Sequence, residues 1–140
     1  MLLFNGSGFL NPEFTRLMDR PKILIVEDDS DTQLFLSLFL GKHYRVDICK
    51  SGIDCYSLLK RNEYRLIIMD IAIKGSKDGL QITEELKNSE QYKNIPIICL
   101  SEHVLDRDKK RAYEAGADVF LEKPVKNDKL LNTIKKMVSG

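Results

Sequence analysis

The sequence has no excess of charge of either sign: 22 Lys plus Arg stand against 21 Asp plus Glu, for a formal net charge of +1. That balance excludes a nucleic-acid surface driven by bulk charge, so any function must sit in a local site. Long apolar runs are missing as well. The densest one outside strand-like segments, Leu34 to Leu40, falls far short of the ~20 residues needed to cross a bilayer. The N-terminus has no basic start ahead of its apolar residues, and Asn5, Gly6, Ser7 and Gly8 interrupt them, which excludes a secretory signal. Cysteine is scarce. Cys49, Cys55 and Cys99 are odd in number, lack CxxC or metal-ligand spacing, and lie among apolar residues, which predicts buried thiols and a reducing, cytoplasmic setting. What is abundant is core material: 43% of the 140 residues are hydrophobic, enough for one globular domain and too much for a disordered chain.

Residues 1–20 read differently from the rest. Gly-Ser-Gly at 6–8, Asn11-Pro12 and Pro21 break any period, and Gly6-Ser7 and Glu13-Phe14 are dipeptides that common cloning sites leave behind. This stretch is read as a vector-derived or flexible leader, with the folded domain spanning 21–140. From Lys22 onward, short runs rich in β-branched residues alternate with amphipathic stretches. The candidate strands are Ile23 to Val26, Tyr44 to Cys49, Leu66 to Met69, Ile97 to Leu100 and Val119 to Leu121. Helix candidates begin near Ser30, Ser51, Gly79 and Asp106, and a fifth runs from Asn127 to Val138. Gly41 and Gly116 fall where a helix C-cap wants a left-handed residue, and Ser51 and Asn127 fall at N-caps. Leu34, Phe35, Leu38 and Phe39 recur at helical spacing and are expected to pack on a sheet. The basic run Arg107, Lys109, Lys110 and Arg111 is offset by Asp106, Asp108 and Glu114, which predicts a solvated helix face.

Strict alternation of strand and helix, with the first, third and fourth strands apolar almost throughout, predicts an α/β domain: a doubly wound parallel sheet with helices on both faces. Right-handed crossovers then bring the C-terminal strand ends to one edge, where such sheets bind ligands. The first strand runs into Glu27-Asp28-Asp29, the third ends at Asp70, the fourth at Ser101 and the fifth at Lys123-Pro124. Carboxylates ~4 Å apart repel by about 4 kcal/mol at an effective dielectric of 20, so Glu27, Asp28 and Asp70 require a counter-charge. A hard divalent cation such as Mg2+ supplies it, and Lys123 adds a positive charge that pairs with Asp70 or with a phosphoryl oxygen. Capping by Asp29 or Ser30 explains part of the acid cluster. It does not explain Asp70 closing an apolar strand, nor Lys123 before a proline.

The segments Ile23–Asp29, Ile67–Ile71, Asp78-Gly79-Leu80, Ile95–Ser101 and Gly116–Pro124 resemble those of the response-regulator receiver domains of two-component signalling, over Pro21 to the C-terminus. The resemblance implies a flavodoxin-like strand order 2-1-3-4-5 and a phosphoacceptor role for Asp70. It implies Mg2+ held by Glu27, Asp28, Asp70 and the backbone carbonyl of Ala72, and phosphoryl contacts from Ser101 and Lys123. It further implies switching by Ser101 and Phe120, and output through the face made by the fourth helix, fifth strand and fifth helix. Ala72 and His103 would tune phosphoryl lifetime. The implied partners are a histidine kinase or histidine phosphotransfer protein and an output protein or domain, with no direct nucleic acid and no membrane.

One departure stands out. The segment Ile71 to Asp78 is one residue longer than the commonest form, and Lys74 stands where that form has proline. Other chemistries lack their residues. A haloacid-dehalogenase-like phosphatase wants a second acid where Ala72 stands, and a P-loop protein wants GxxxxGK followed by Ser or Thr. An FMN protein wants a hydroxyl- and glycine-rich loop where Glu27-Asp28-Asp29 stands. The remaining alternative is a receiver-like module that binds partners without phosphorylation, which the loop variant keeps open.

Overall fold

The structure, a computed structural model, describes residues 3–102 and 105–139. Its core is a five-stranded parallel sheet of β1 (Lys22–Val26), β2 (Arg45–Cys49), β3 (Leu66–Asp70), β4 (Ile97–Ser101) and β5 (Val119–Glu122), in the order β2-β1-β3-β4-β5. Among the described residues six helices accompany it: α1 (Pro12–Met18), α2 (Ser30–Leu40), α3 (Gly52–Arg61), α4 (Gly79–Lys87), α5 (Asp106–Glu114) and α6 (Asn127–Val138). The doubly wound architecture and strand order expected from the sequence are those observed.

The pleat explains why the apolar runs fold this way. Successive side chains of β1 point to opposite faces, so Ile23 and Ile25 join Leu36, Leu40, Leu130 and Ile134 on the α2/α6 face. Leu24 and Val26 join Cys55, Leu59, Ile82, Leu86 and Ala112 on the α3/α4/α5 face. Each central strand must therefore be apolar at consecutive positions, and β3 and β4, apolar up to their last residues Asp70 and Ser101, are buried from end to end. Pairing of Val26 with Met69 and of Asp70 with Leu100 brings the strand ends to one edge.

Four local expectations are corrected. Residues 12–18 are helical: Asn11 accepts the Glu13 amide at 2.8 Å and Pro12 opens the first turn, so the Asn-Pro pair is a start signal and not a breaker. No residue of α1 is buried, so the helix adds nothing to the core. Leu34 and Leu38 are 60% and 65% exposed and Phe35 48%, while Leu36 and Leu40 face the sheet and Phe39 packs partly against it. This stretch has apolar residues on every side, so spacing alone could not orient it. Gly41 has a right-handed φ of −62°, whereas Gly116, at φ +105°, does adopt the left-handed conformation. A Cβ at Gly41 would lie 2.5 Å from the Ser37 carbonyl oxygen, which is why a small residue stands there. Finally, Ser51 caps α3, but the N-cap of α6 is Lys126, with Asn127 already helical. The three cysteines are buried and free, and the basic run on α5 is solvent-exposed, both as expected.

Candidate functional site

The cleft forms where the sheet's polar strand ends meet. Glu27 follows β1 and is 1% exposed; its amide donates to the Cys49 carbonyl at 2.9 Å, which extends the β1–β2 ladder by one residue. Asp29 turns the chain into α2 by accepting the Thr32 amide at 2.9 Å, leaving Asp28 between the buried acid and the cap. Asp70, 5% exposed, closes β3. One carboxylate oxygen from each of Glu27, Asp28 and Asp70 lies within 4.8 Å of the other two. Hard oxygen donors at this spacing fit a small divalent cation such as Mg2+.

Lys123 enters from the end of β5. Its ammonium donates to Glu27 Oε2 at 2.8 Å and stands 3.4 Å from Asp70 Oδ2. Burial pushes the Glu27 carboxyl above the ordinary range against the pull of its hydrogen bond with Lys123, and the negative charge of Asp70 adds to the rise. Burial works against the Lys123 ammonium, but the Glu27 hydrogen bond and the charges of Asp70 and Glu27 outweigh it and hold the group above the usual lysine range. The expected Lys123–Asp70 pairing is thus present, and the tighter bond is to Glu27.

Ser101 ends β4, is 1% exposed, and accepts the Lys123 amide on its carbonyl at 2.8 Å, so the two share one corner of the cleft. Ala72 lies two residues beyond Asp70, and its amide donates to Asp70 Oδ1 at 3.0 Å. The Lys74 amide donates to Asp28 Oδ2 at 3.1 Å. Phe120 is not at the cleft; it is buried in β5 beside Cys99, Ala112 and Ala117 on the α5 side. His103 lies outside the described residues. Sequence reasoning did not find the two amide donors, because main-chain groups of a loop leave no residue-type signature. It also left Gln33 unassigned, whose side-chain amide donates to the Glu27 carbonyl.

An open parallel sheet in the order β2-β1-β3-β4-β5, with an acid cluster and a lysine at its C-terminal edge, defines a doubly wound α/β domain whose ligand site lies at that edge. The model of the response regulator receiver domain matches residues 23–135, and the chain belongs to that family. It is 29% identical to the polar-differentiation response regulator DivK of Brucella ovis over 114 residues, which cover 81% of this chain and 92% of that protein. Among solved structures, it resembles the signal receiver domain of a signal transduction histidine kinase from Syntrophus aciditrophicus, at 31% identity and a TM-score of 0.80, over 86% of this chain and 91% of that one. The receiver domain of a sensor histidine kinase from Pseudomonas aeruginosa matches at 29% identity and a TM-score of 0.79, over 86% of this chain and 99% of that one. That protein holds a magnesium ion coordinated in its active-site cleft. The chain is therefore a receiver domain of two-component signalling, a class of signalling domain that pairs with histidine kinases and is not a classical enzyme. Among the described residues no helix is long and apolar enough to cross a membrane.

Proposed function

We propose that this domain is a phosphorylation-dependent switch that takes a phosphoryl group from a phosphohistidine, on a histidine kinase or phosphotransfer protein, onto Asp70. The observation that carries this reading is the meeting of Asp70 with Glu27, Asp28 and Lys123 in one small cleft. Glu27, Asp28, Asp70 and the backbone carbonyl of Ala72 would hold Mg2+, which when bound supplies positive charge against the phosphoryl oxygens. The Asp70 carboxylate attacks phosphorus, the P–N bond to the imidazole breaks, and an acyl phosphate forms. Charge then spreads over three oxygens, to which Lys123 offers its ammonium and Ser101 its hydroxyl. Hydrolysis returns the group to water as phosphate, at a rate that Ala72 and His103 would tune. The domain thus assists its own phosphorylation and dephosphorylation.

The acyl phosphate adds roughly two negative charges to the cleft, and its contacts favour one of two conformations. Ser101 and Phe120 carry that change to the face of α5, β5 and α6, where an output partner reads it. Exposed apolar side chains beside the cleft support phosphodonor docking on α2. Leu34, Phe35 and Leu38 are exposed on α2, and Phe35 and Leu36 line a groove of about 600 Å³ together with Asp31, Thr32, Lys123 and Pro124.

Intact mass after incubation with Mg2+ and a small acyl-phosphate donor tests the reading. A phosphoryl increment that requires both the metal and Asp70, absent in Asp70→Asn, is expected. No increment in a folded protein would favour phosphorylation-independent binding.

A further inference from the structure

The segment joining β3 to α4, residues 71–78, is tied down at both ends. At the cleft end, the Ala72 amide holds Asp70 at 3.0 Å and the Lys74 amide holds Asp28 at 3.1 Å. At the far end, the Lys77 ammonium pairs with Glu85 of α4 and lies 6.0 Å from the centre of the Tyr56 ring on α3. The Tyr56 hydroxyl donates to the second Glu85 oxygen at 2.5 Å, and Asp78 and Gln81 complete a reciprocal cap on α4. Between the two anchors, Lys74, Gly75 and Ser76 are exposed, and only Ile73 is buried.

Asp28 is the member of the acid cluster that most needs such support. Glu27 and Asp70 are buried and share Lys123, whereas Asp28 is half-exposed and makes no ion pair among the described residues. A free carboxylate at such a position rotates, and ordering it is part of the cost of binding a cation. A main-chain N–H on one of its oxygens removes part of that freedom and leaves lone pairs on both oxygens for a metal. The donor is the amide and not the lysine side chain, so residue type matters in one respect only. Proline, which stands here in the commonest form of the receivers this sequence resembles, has no N–H to give.

We propose that the Lys74 main-chain amide is a positioning donor for Asp28, and that the longer 71–78 segment, anchored by Lys77 on Glu85, exists to present it. The proposal rests on the reading of Glu27, Asp28 and Asp70 as a cation site. It predicts that the cleft's affinity for a divalent cation depends on an N–H at position 74 and is indifferent to the side chain there.

The test is calorimetric titration of the intact protein with Mg2+, and with Mn2+ as a second probe, without any phosphodonor. Lys74→Ala keeps the N–H and should bind within twofold of the parent. Lys74→Pro, and a variant in which an ester replaces the amide between residues 73 and 74, both lose the donor and should bind about tenfold more weakly. The ester preserves the shape of the chain, so weak binding by Lys74→Pro together with parental binding by the ester would assign the loss to proline strain and overturn the proposal. Parental affinity in both variants would overturn it too. Absence of cation binding by the parent protein itself would instead overturn the cation-site reading, and the positioning role with it.

Discussion

Lys123 and Glu27 form an ion pair of 2.8 Å in which the carboxylate side chain is almost wholly buried, and Asp70 lies 3.4 Å from the same ammonium. One cation thus serves two buried acids. Removing Lys123 would leave both carboxylates buried without this counter-charge.

Lys123→Met should therefore destabilise the fold in a cation-dependent way. Removing one partner of a buried pair costs about 3–5 kcal/mol when nothing replaces it. Urea denaturation in chelator is expected to show a loss in this range, and saturating Mg2+ to recover part of it. Equal losses with and without Mg2+ would mean that the acids do not share their counter-charge with a cation. Phosphoryl uptake at Asp70 should fall at least tenfold in the variant.

Substitution on the exposed row of α2 separates docking from chemistry. Phe35→Glu and Leu38→Glu alter side chains that are about half or more exposed, so stability should change by about 0.5 kcal/mol or less. Uptake from a small acyl-phosphate donor should be unchanged. Transfer from a phosphohistidine protein that labels the parent should slow by about tenfold or more, read by the rate of radiolabel transfer. Equal slowing with both donors would place the effect in the cleft and not at a docking surface.

Cys99 gives a pH prediction. Burial pushes its thiol up to about 11, with the Thr83 hydroxyl at 3.7 Å partly opposing the rise. An unfolded thiol ionises near ~8.5. Below that pH both states keep the proton and Cys99 contributes no slope. Between there and the folded value only the unfolded chain loses it, so stability falls by about 1.4 kcal/mol per pH unit. Cys99→Ala costs packing at every pH but removes this slope, so its deficit against the parent should shrink between about pH 8.5 and 11. Tyr44 and Tyr64, whose hydroxyls burial also pushes up, affect both proteins alike and cancel. A constant deficit across that range would show that Cys99 ionises equally in both states.

The sheet was legible in the sequence because a strand buried on both faces must be apolar at consecutive positions, as Ile23 to Val26 and Leu66 to Met69 are. The acid cluster was legible because Asp70 breaks such a run at its last residue. Orientation of α2 was not, since Leu34 to Leu40 is interrupted only by Ser37 and offers no polar face to mark the outside. Nor was the hold of Glu27 on Lys123, which are 96 positions apart and are brought together only by the order β2-β1-β3-β4-β5. The hydrogen bond from Lys74 to Asp28 belongs to the backbone, and the sequence showed only that the loop there is unusual.

Gly79 is the point where α4 presses on the end of β3. A Cβ built there would lie 2.3 Å from the Asp70 carbonyl oxygen and 2.6 Å from the Ile71 Cα, and both are backbone atoms that cannot rotate away. The Gly79 amide also donates to the Ile71 carbonyl at 3.3 Å, so the first turn of α4 cannot retreat without losing that bond. Gly79→Ala should thus cost about 1–3 kcal/mol by overpacking, although alanine is the better helix former by about 1 kcal/mol. Whatever shift relieves the clash moves Asp70 against Lys123 and Asp28. Phosphoryl uptake, measured well below the variant's melting temperature, should drop by more than the folded fraction accounts for. A variant as stable as the parent, with unchanged uptake, would show that α4 and β3 can separate freely and that the loop between them does not set the geometry of the cleft.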